Sequence, residues 1–143
     1  MKLILEYEAD SMSVTAVIIN GSAGAVHILD NVYINPCVLE LTDSSGKPVE
    51  SFDEREIMKY NTTPESFEYK EVKPGAKYLV RSAKFEKRSP GMYRLQWGTY
   101  KFENIKPGNY TVIAHWPVED VPEGKFDTWK EKLHSEAIPA VLP

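Results

Sequence analysis

Three histidines, one cysteine and a few serine, lysine and carboxylate groups are the residues of this chain that could do chemistry. His27, His115 and His134 stand in three separate segments, and none has a histidine or cysteine partner at metal-ligand spacing. His115 falls between Ala114 and Trp116 in an alternating run, which puts it on the face opposite Trp116. Structural or surface roles explain these histidines more cheaply than a metal or acid–base role. Ser44-Ser45-Gly46-Lys47 sets a serine three residues before a lysine, the spacing of a nucleophile and its partner on a helix. Here the same letters precede Pro48 in a turn. Asp53, Glu54 and Glu56 offer oxygen ligands suited to Ca²⁺ but lack the spacing with glycine of a calcium loop. Acids opening a helix account for them, because they complement its dipole. Cys37, in Pro36-Cys37-Val38-Leu39, reads as a buried thiol at the start of a strand, with nothing beside it to lower its pKa. A lone cysteine makes neither an internal disulfide nor a structural zinc site. Nucleophile elbows, phosphate-cradling glycine loops and dinucleotide fingerprints do not occur. The expectation is a non-enzyme without cofactor or metal.

Two stretches suit contact with a partner. Lys87-Arg88-Ser89-Pro90-Gly91 is a basic turn stiffened by Pro-Gly, so Arg88, Ser89 and Pro90 are candidate contact residues. Their bases would suit the pocket of a trypsin-like peptidase, although an ordinary basic surface turn explains them more cheaply. Trp129 stands in a loose tail near Lys125 and Lys130 and is the expected exposed aromatic, a fourth candidate contact.

The elements that must position these residues are short extended runs separated by turn signals. Leu3 to Tyr7 opens the chain, with Leu3, Leu5 and Tyr7 on one face. Val14 to Ile19 is rich in β-branched residues and ends at Asn20-Gly21-Ser22. Ala25 to Leu29 follows, then Cys37 to Leu41, with Cys37, Leu39 and Leu41 on one side. Asp43 to Pro48 is a turn, and Val49 to Phe52 is placed to return as its hairpin partner. Ser51-Phe52-Asp53-Glu54 fits a capping box that would start a helix to about Tyr60, although the same residues also alternate like a strand. Phe67 to Val72 and Tyr78 to Phe85 are extended, and Met92 to Trp97 with Tyr100 to Ile105 make a hairpin about Gly98. In that hairpin Tyr93, Leu95 and Trp97 form the core face. Tyr110 to Trp116 is the most strand-like run. Asp127 to His134 is a candidate helix, and Glu136 to Leu142 an edge strand, because Pro139 would cost a central strand a ladder bond. Repeats, low-complexity tracts and flexible linkers are missing from the sequence. One domain over residues 1–143 is expected, an antiparallel sandwich of about seven to nine strands.

A chain of 143 residues buries roughly two-thirds of its unfolded surface, enough to stand without metal or disulfide. Its composition is that of a globular protein, 42% hydrophobic and 27% charged, with a net charge of −4. That balance argues against a nucleic-acid partner. Residues 40–71 hold nine acids and four bases, whereas residues 72–88 hold six bases and one acid. Neighbouring strands with solvated faces explain this, and a steering patch for an acidic partner is the alternative. No run approaches the length of a membrane helix, so no membrane insertion is expected. If Met1 is the native start the compartment is the cytoplasm; if the chain is a mature fragment, it is exported with its signal removed. Asn20, Asn61 and Asn109 begin Asn-x-Ser/Thr sequences that matter only on a eukaryotic secretory route.

Asn104-Ile105-Lys106-Pro107-Gly108-Asn109-Tyr110 resembles the entry to the late strands of immunoglobulin-like and fibronectin-type sandwiches. That resemblance implies a corner tyrosine whose hydroxyl bonds backbone upstream. The order Ile19-Asn20-Gly21-Ser22, Asp43-Ser44-Ser45-Gly46, Lys73-Pro74-Gly75 and Gly108-Asn109-Tyr110 is similar to that of bacterial sandwiches such as the intracellular proteinase inhibitors of Bacillus type. It implies an immunoglobulin-like fold, and inhibitory loops that match no motif here residue by residue. Three functions follow as expectations. The first is a non-enzymatic protein-interaction module using loops (53–66 and 117–135) or a sheet edge. The second is a peptidase inhibitor, and the third a carbohydrate-binding or metal-dependent accessory domain.

Overall fold

Branched side chains in Val14-Thr15-Ala16-Val17-Ile18-Ile19 are stiff at χ1 and fit a pleated surface, so this run forms strand β2 (Ser13–Ile19). Val14, Ala16 and Ile18 point inward and are fully buried. Strand β1 (Lys2–Glu8) runs antiparallel to it, with Leu3 and Leu5 on the same inner side. The computed structural model describes residues 1–32, 35–57, 69–88, 90–117 and 128–143.

The remaining strands follow in chain order: β3 (Val26–Leu29), β4 (Val38–Asp43), β5 (Phe52–Asp53), β6 (Tyr69–Val72), β7 (Lys77–Lys84) and β8 (Glu86–Arg88). After them come β9 (Met92–Trp97), β10 (Tyr100–Ile105), β11 (Gly108–Trp116), β12 (Leu133–His134) and β13 (Ile138–Leu142). They assemble into an all-β antiparallel sandwich. One sheet runs β1-β2-β7 and a second β5-β10-β9-β8. A third has β11 at its centre, with β4 on one side and β12 and β13 on the other, and β3 pairs with β6. β1 packs against β11, β12 and β13. Leu5, Ile18, Leu41, Trp97, Val112 and Trp116 belong to the single apolar core between these layers.

Thirteen strands are described, against the seven to nine expected. Two of the extra ones have only two residues. Another arises where one extended run changes sheets. β7 pairs with β2, then Phe85 buries its ring and donates its amide to the Met12 carbonyl at 2.9 Å. Past that point the chain pairs with β9 as β8, the corner by which a strand passes between two packed sheets.

Three expectations are corrected. Ser51 caps no helix: Phe52 is already paired with β10, and the Glu54 amide reaches the Thr99 carbonyl at 2.8 Å. The cap therefore falls on Asp53, which accepts from the Arg55 amide at 3.1 Å and starts a single 3₁₀ turn, Glu54–Glu56. The expected continuation over residues 58–60 lies outside the described residues. Val49 to Phe52 does not pair along β4. The returning chain bridges β4 only where Pro48 stands opposite Thr42, through Asp43 amide to Lys47 carbonyl at 2.9 Å and Val49 amide to Leu41 carbonyl at 2.8 Å, and then departs to form β5 on β10. Residues 128–134 are not helical, because β11 and β3 offer them extended partners: Thr128 bridges to His27, and Leu133–His134 pairs with Trp116 and His115. Asp127, the first residue of that expected helix, lies outside the described residues.

Polar groups that enter the interior are matched. Asn20, fully buried, donates to the Gly24 and Val72 carbonyls at 2.8 Å each and accepts from the Ser22 amide and hydroxyl at 3.0 and 2.6 Å. Among the described residues no buried side-chain nitrogen or oxygen lacks a partner. The turn Asp43–Lys47 is closed by the Asp43 carboxylate, which accepts from the Ser45 hydroxyl and the Ser45 and Lys47 amides. Those bonds, the Ser45 hydroxyl first, hold this carboxyl below its ordinary pKa. Gly46 supplies the positive φ of +84° that the turn requires.

Candidate functional site

Arg88 and Pro90 lie at the end of the β8–β9 hairpin, closed by the Gly91 amide on the Arg88 carbonyl at 2.8 Å. Ser89 lies outside the described residues. Beside the turn is a depression of about 270 Å³ where Arg88 and Pro90 meet Met92, Arg94, Glu103 and Asn104. Asn104 takes a φ of 55° there, at an irregularity in the β9–β10 pairing. Arg88 and Arg94 both bond Glu86, at 3.4 and 3.1 Å, so part of the cationic character of this turn is neutralised.

Trp129 is brought to neither Arg88 nor Pro90. Its ring is half-buried against the core, its amide donates to the His27 carbonyl at 2.8 Å and its indole to the Glu131 carbonyl at 2.7 Å. The expectation of an exposed aromatic is thus corrected: pairing with β3 draws this part of the tail inward. A depression of about 360 Å³ remains beside it, bounded by Ala25, Val26, Thr128, Lys130 and Glu131. Tyr93, Trp97, Phe102 and Trp116 are buried, so they form no flat aromatic platform. Phe52, 46% exposed, is the one aromatic among the large exposed apolar residues described.

The third depression, about 440 Å³, runs along the outer edge of β4. Which backbone groups of β4 face it follows from the register of β11. Proline has no N–H, so Pro139 opposite Thr111 must be a non-hydrogen-bonded pair of the β11–β13 ladder. Thr111 then turns its backbone groups to Thr42 of β4, as do Ile113 to Glu40 and His115 to Val38. The backbone groups of Leu39 and Leu41 consequently point away from β11. Three bonds agree with this parity: Val49 amide to Leu41 carbonyl, Asp43 amide to Lys47 carbonyl at 2.9 Å, and Trp97 indole to Cys37 carbonyl at 2.9 Å. Between those anchors the Leu39 N–H, Leu39 C=O and Leu41 N–H face the groove, with no backbone partner among the described residues. Phe102, Pro48 and Val49 line the groove, and Glu40, Glu50, Ser51 and His115 also border it. His115 Nε2 bonds Glu40 Oε2 at 3.0 Å.

The three histidines are not all kept apart. His115 faces opposite the buried Trp116 and stands directly across the β11–β12 pair from His134, whereas His27 lies on β3. Burial pushes the Cys37 thiol up to about 12, and the nearby Arg81 only partly offsets it. Asp53 is occupied by Arg55, whose Nη2 lies 2.6 Å from Oδ2, and by the Thr99 hydroxyl at 3.1 Å. No cluster of three or more histidine, cysteine or acidic residues suited to a metal occurs among the described residues. The Glu56 side chain lies outside that description. No helix described is long and apolar enough to cross a membrane.

Set beside known proteins, the chain matches no family model, no curated relative and no solved structure. Leu39, Leu41 and Glu50 were not signalled as site residues by the sequence, since alternation marks which side chains are inside but not which backbone edge stays open.

Proposed function

We propose that this chain is a non-enzymatic protein-interaction module that receives its partner at a sheet edge, along β4. One observation carries the reading: the backbone groups of Leu39 and Leu41 that turn away from β11 have no backbone partner among the described residues and border an apolar-lined groove. Exposed edges invite pairing, and proteins guard them with charge, proline, bulges or shortness. The other edges of the three larger sheets carry such guards. β13 has Pro139, and the Val141 carbonyl is taken by the Tyr7 hydroxyl at 3.0 Å. β8 reads Glu86-Lys87-Arg88, all exposed, and β1 carries Lys2, Glu6 and Glu8. β7 is interrupted by an irregular register and bears Lys77 and Lys84, while β5 and β12 have two residues each.

The test is capture from a lysate of the source cells on immobilised protein, comparing wild type with Ser51→Trp, which fills the groove from an exposed position. A partner retained by wild type and by a distant control, Lys87→Ala, but lost by Ser51→Trp is the expected result. Capture of nothing above background, or of the same proteins by both, overturns the reading.

A peptidase inhibitor of immunoglobulin-like fold is the second reading. It is favoured by the side chain of Arg88, 51% exposed at the hairpin tip beside Pro90. Inhibition of a trypsin-like enzyme that disappears in Arg88→Ala supports it; wild type without effect at micromolar concentration removes it.

A further inference from the structure

We infer that the outer face of the β1-β2-β7 sheet is a self-association surface, on which a second copy of this chain docks face to face about a two-fold axis. The inference is independent of the β4 reading above. On that face the register lines up three rows of side chains across the strands. The middle row is Ile4, Val17 and Leu79. Lys2, Ile19 and Lys77 flank it on one side, and Glu6, Thr15 and Ser82 on the other. The irregularity in the β2–β7 register makes this possible. Val80 is the extra residue and turns into the core, so Leu79 and Ser82 share the outer face although three positions separate them. Ile4, Val17, Ile19 and Leu79 belong neither to the apolar core nor to the partly buried residues packed against it, and Leu79 is 58% exposed. Contiguous apolar side chains rimmed by charge mark a contact face rather than solvated surface.

The charges select the occupant. Lys2 and Lys77 stand beyond one side of the apolar row and Glu6 beyond the other, all exposed. None of the three forms an ion pair among the described residues. A partner that sets a carboxylate over Lys2 and a base over Glu6 is the same face turned end for end. A two-fold axis lying along the Ile4–Val17–Leu79 row stacks that row on itself. It also brings Lys2 of each copy over Glu6 of the other, twice by symmetry. An axis along β2 would instead stack Lys2 on Lys77, so the charge pattern excludes it. Packed sheets lie about 10 Å apart, a gap that apolar side chains fill from both sides and that lysine and glutamate span end to end. The three rows cover roughly 10 by 13 Å of backbone. A contact of that size belongs with weak association, a Kd on the order of 100 µM.

The experiment is sedimentation equilibrium of the full chain from about 10 µM to about 1 mM, concentrations that bracket such a constant. The weight-average mass rises from that of one chain, 16.3 kDa, toward that of two and no further, because a two-fold contact closes on itself. Leu79→Asp, at an exposed position, keeps the mass of one chain throughout while retaining the wild-type urea midpoint. Lys2→Glu and Glu6→Lys each weaken the dimer about tenfold, since each change breaks both symmetric ion pairs. Both changes in one chain exchange the two charges and restore the wild-type constant. Should Leu79→Asp unfold, the charge variants at exposed positions decide the matter by themselves. Ser51→Trp leaves the dimer unaltered, so failure here and failure of docking at β4 are read apart. A mass fixed at one chain, growth beyond two chains, a dimer indifferent to a folded Leu79→Asp, or a double charge variant no tighter than the single ones each overturns the inference.

Discussion

Tyr110 shows how one residue ties a turn to a strand. Its ring is 8% exposed, and its hydroxyl donates to the Lys106 carbonyl at 2.6 Å, across the turn that opens β11. Tyr110→Phe keeps the ring but leaves that carbonyl without its donor, so the fold should lose about 1–2 kcal/mol, read from urea melts. A melt that coincides with wild type would show the bond to be idle. Gly108 begins the same strand at a φ of +149°, where a β-carbon is disfavoured. Asp53, like Asp43, contributes a pH dependence at this scale. Burial works to raise its pKa, yet the bonds from Arg55 and Thr99 outweigh that and hold it below the ordinary value. A carboxyl depressed in the folded state adds stability above its unfolded pKa and loses it as pH falls through the folded one. Urea midpoints should therefore decline on the acid side of the aspartate range, and Asp53→Asn should flatten that decline. Equal slopes in the two proteins would remove Asp53 from the account.

Among the elements, β13 answers most directly to its sequence. Pro139 stands where its missing N–H faces away from β11, so it breaks no ladder bond and takes one donor from the free edge. Pro139→Val restores that donor. Stability should change by less than about 1 kcal/mol, while self-association at high concentration, followed by light scattering, should rise. An unchanged scattering profile would mean that the Tyr7 cap on Val141 guards the edge unaided. The hairpin of β9 and β10 was equally legible, since Tyr93, Leu95 and Trp97 alternate inward as their spacing requires. The segment after Ser51 was not. Its capping-box letters are satisfied locally by a helix start, but the pairing of Phe52 with Lys101 takes the backbone first and moves the cap to Asp53.

For the whole molecule, Phe85 is where two sheets are joined by one chain. It is 1% exposed, stands edge-on to Tyr7 with centroids 6.3 Å apart, and separates β7 from β8. Because the core is shared between the sheets, unfolding should be one cooperative transition, with fluorescence and far-ultraviolet dichroism coinciding. Phe85→Ala should lower stability by about 3–5 kcal/mol while keeping a single transition. Two separated transitions would show that the sheets fold as independent units.

Alternation, β-branched runs and turn residues sufficed to determine an all-β chain and most of its inward-facing side chains, because those signals act between residues close in sequence. The burial of Cys37 and the edge position of Pro139 were legible for that reason, and the corner at Tyr110 through the resemblance of its stretch to the late strands of known sandwiches. Which strands pair, where β7 changes sheets, how Trp129 is drawn onto His27 and which side of β4 stays open were decided by the tertiary structure. Each depends on contacts between residues far apart in the chain. Thr111 and Leu41 lie 70 positions apart, and no local preference of either tells whether the Leu41 amide meets β11 or the groove. The register of Pro139 against Thr111 decides it, by removing one N–H from the ladder and so setting the direction of every backbone group across β11 to β4.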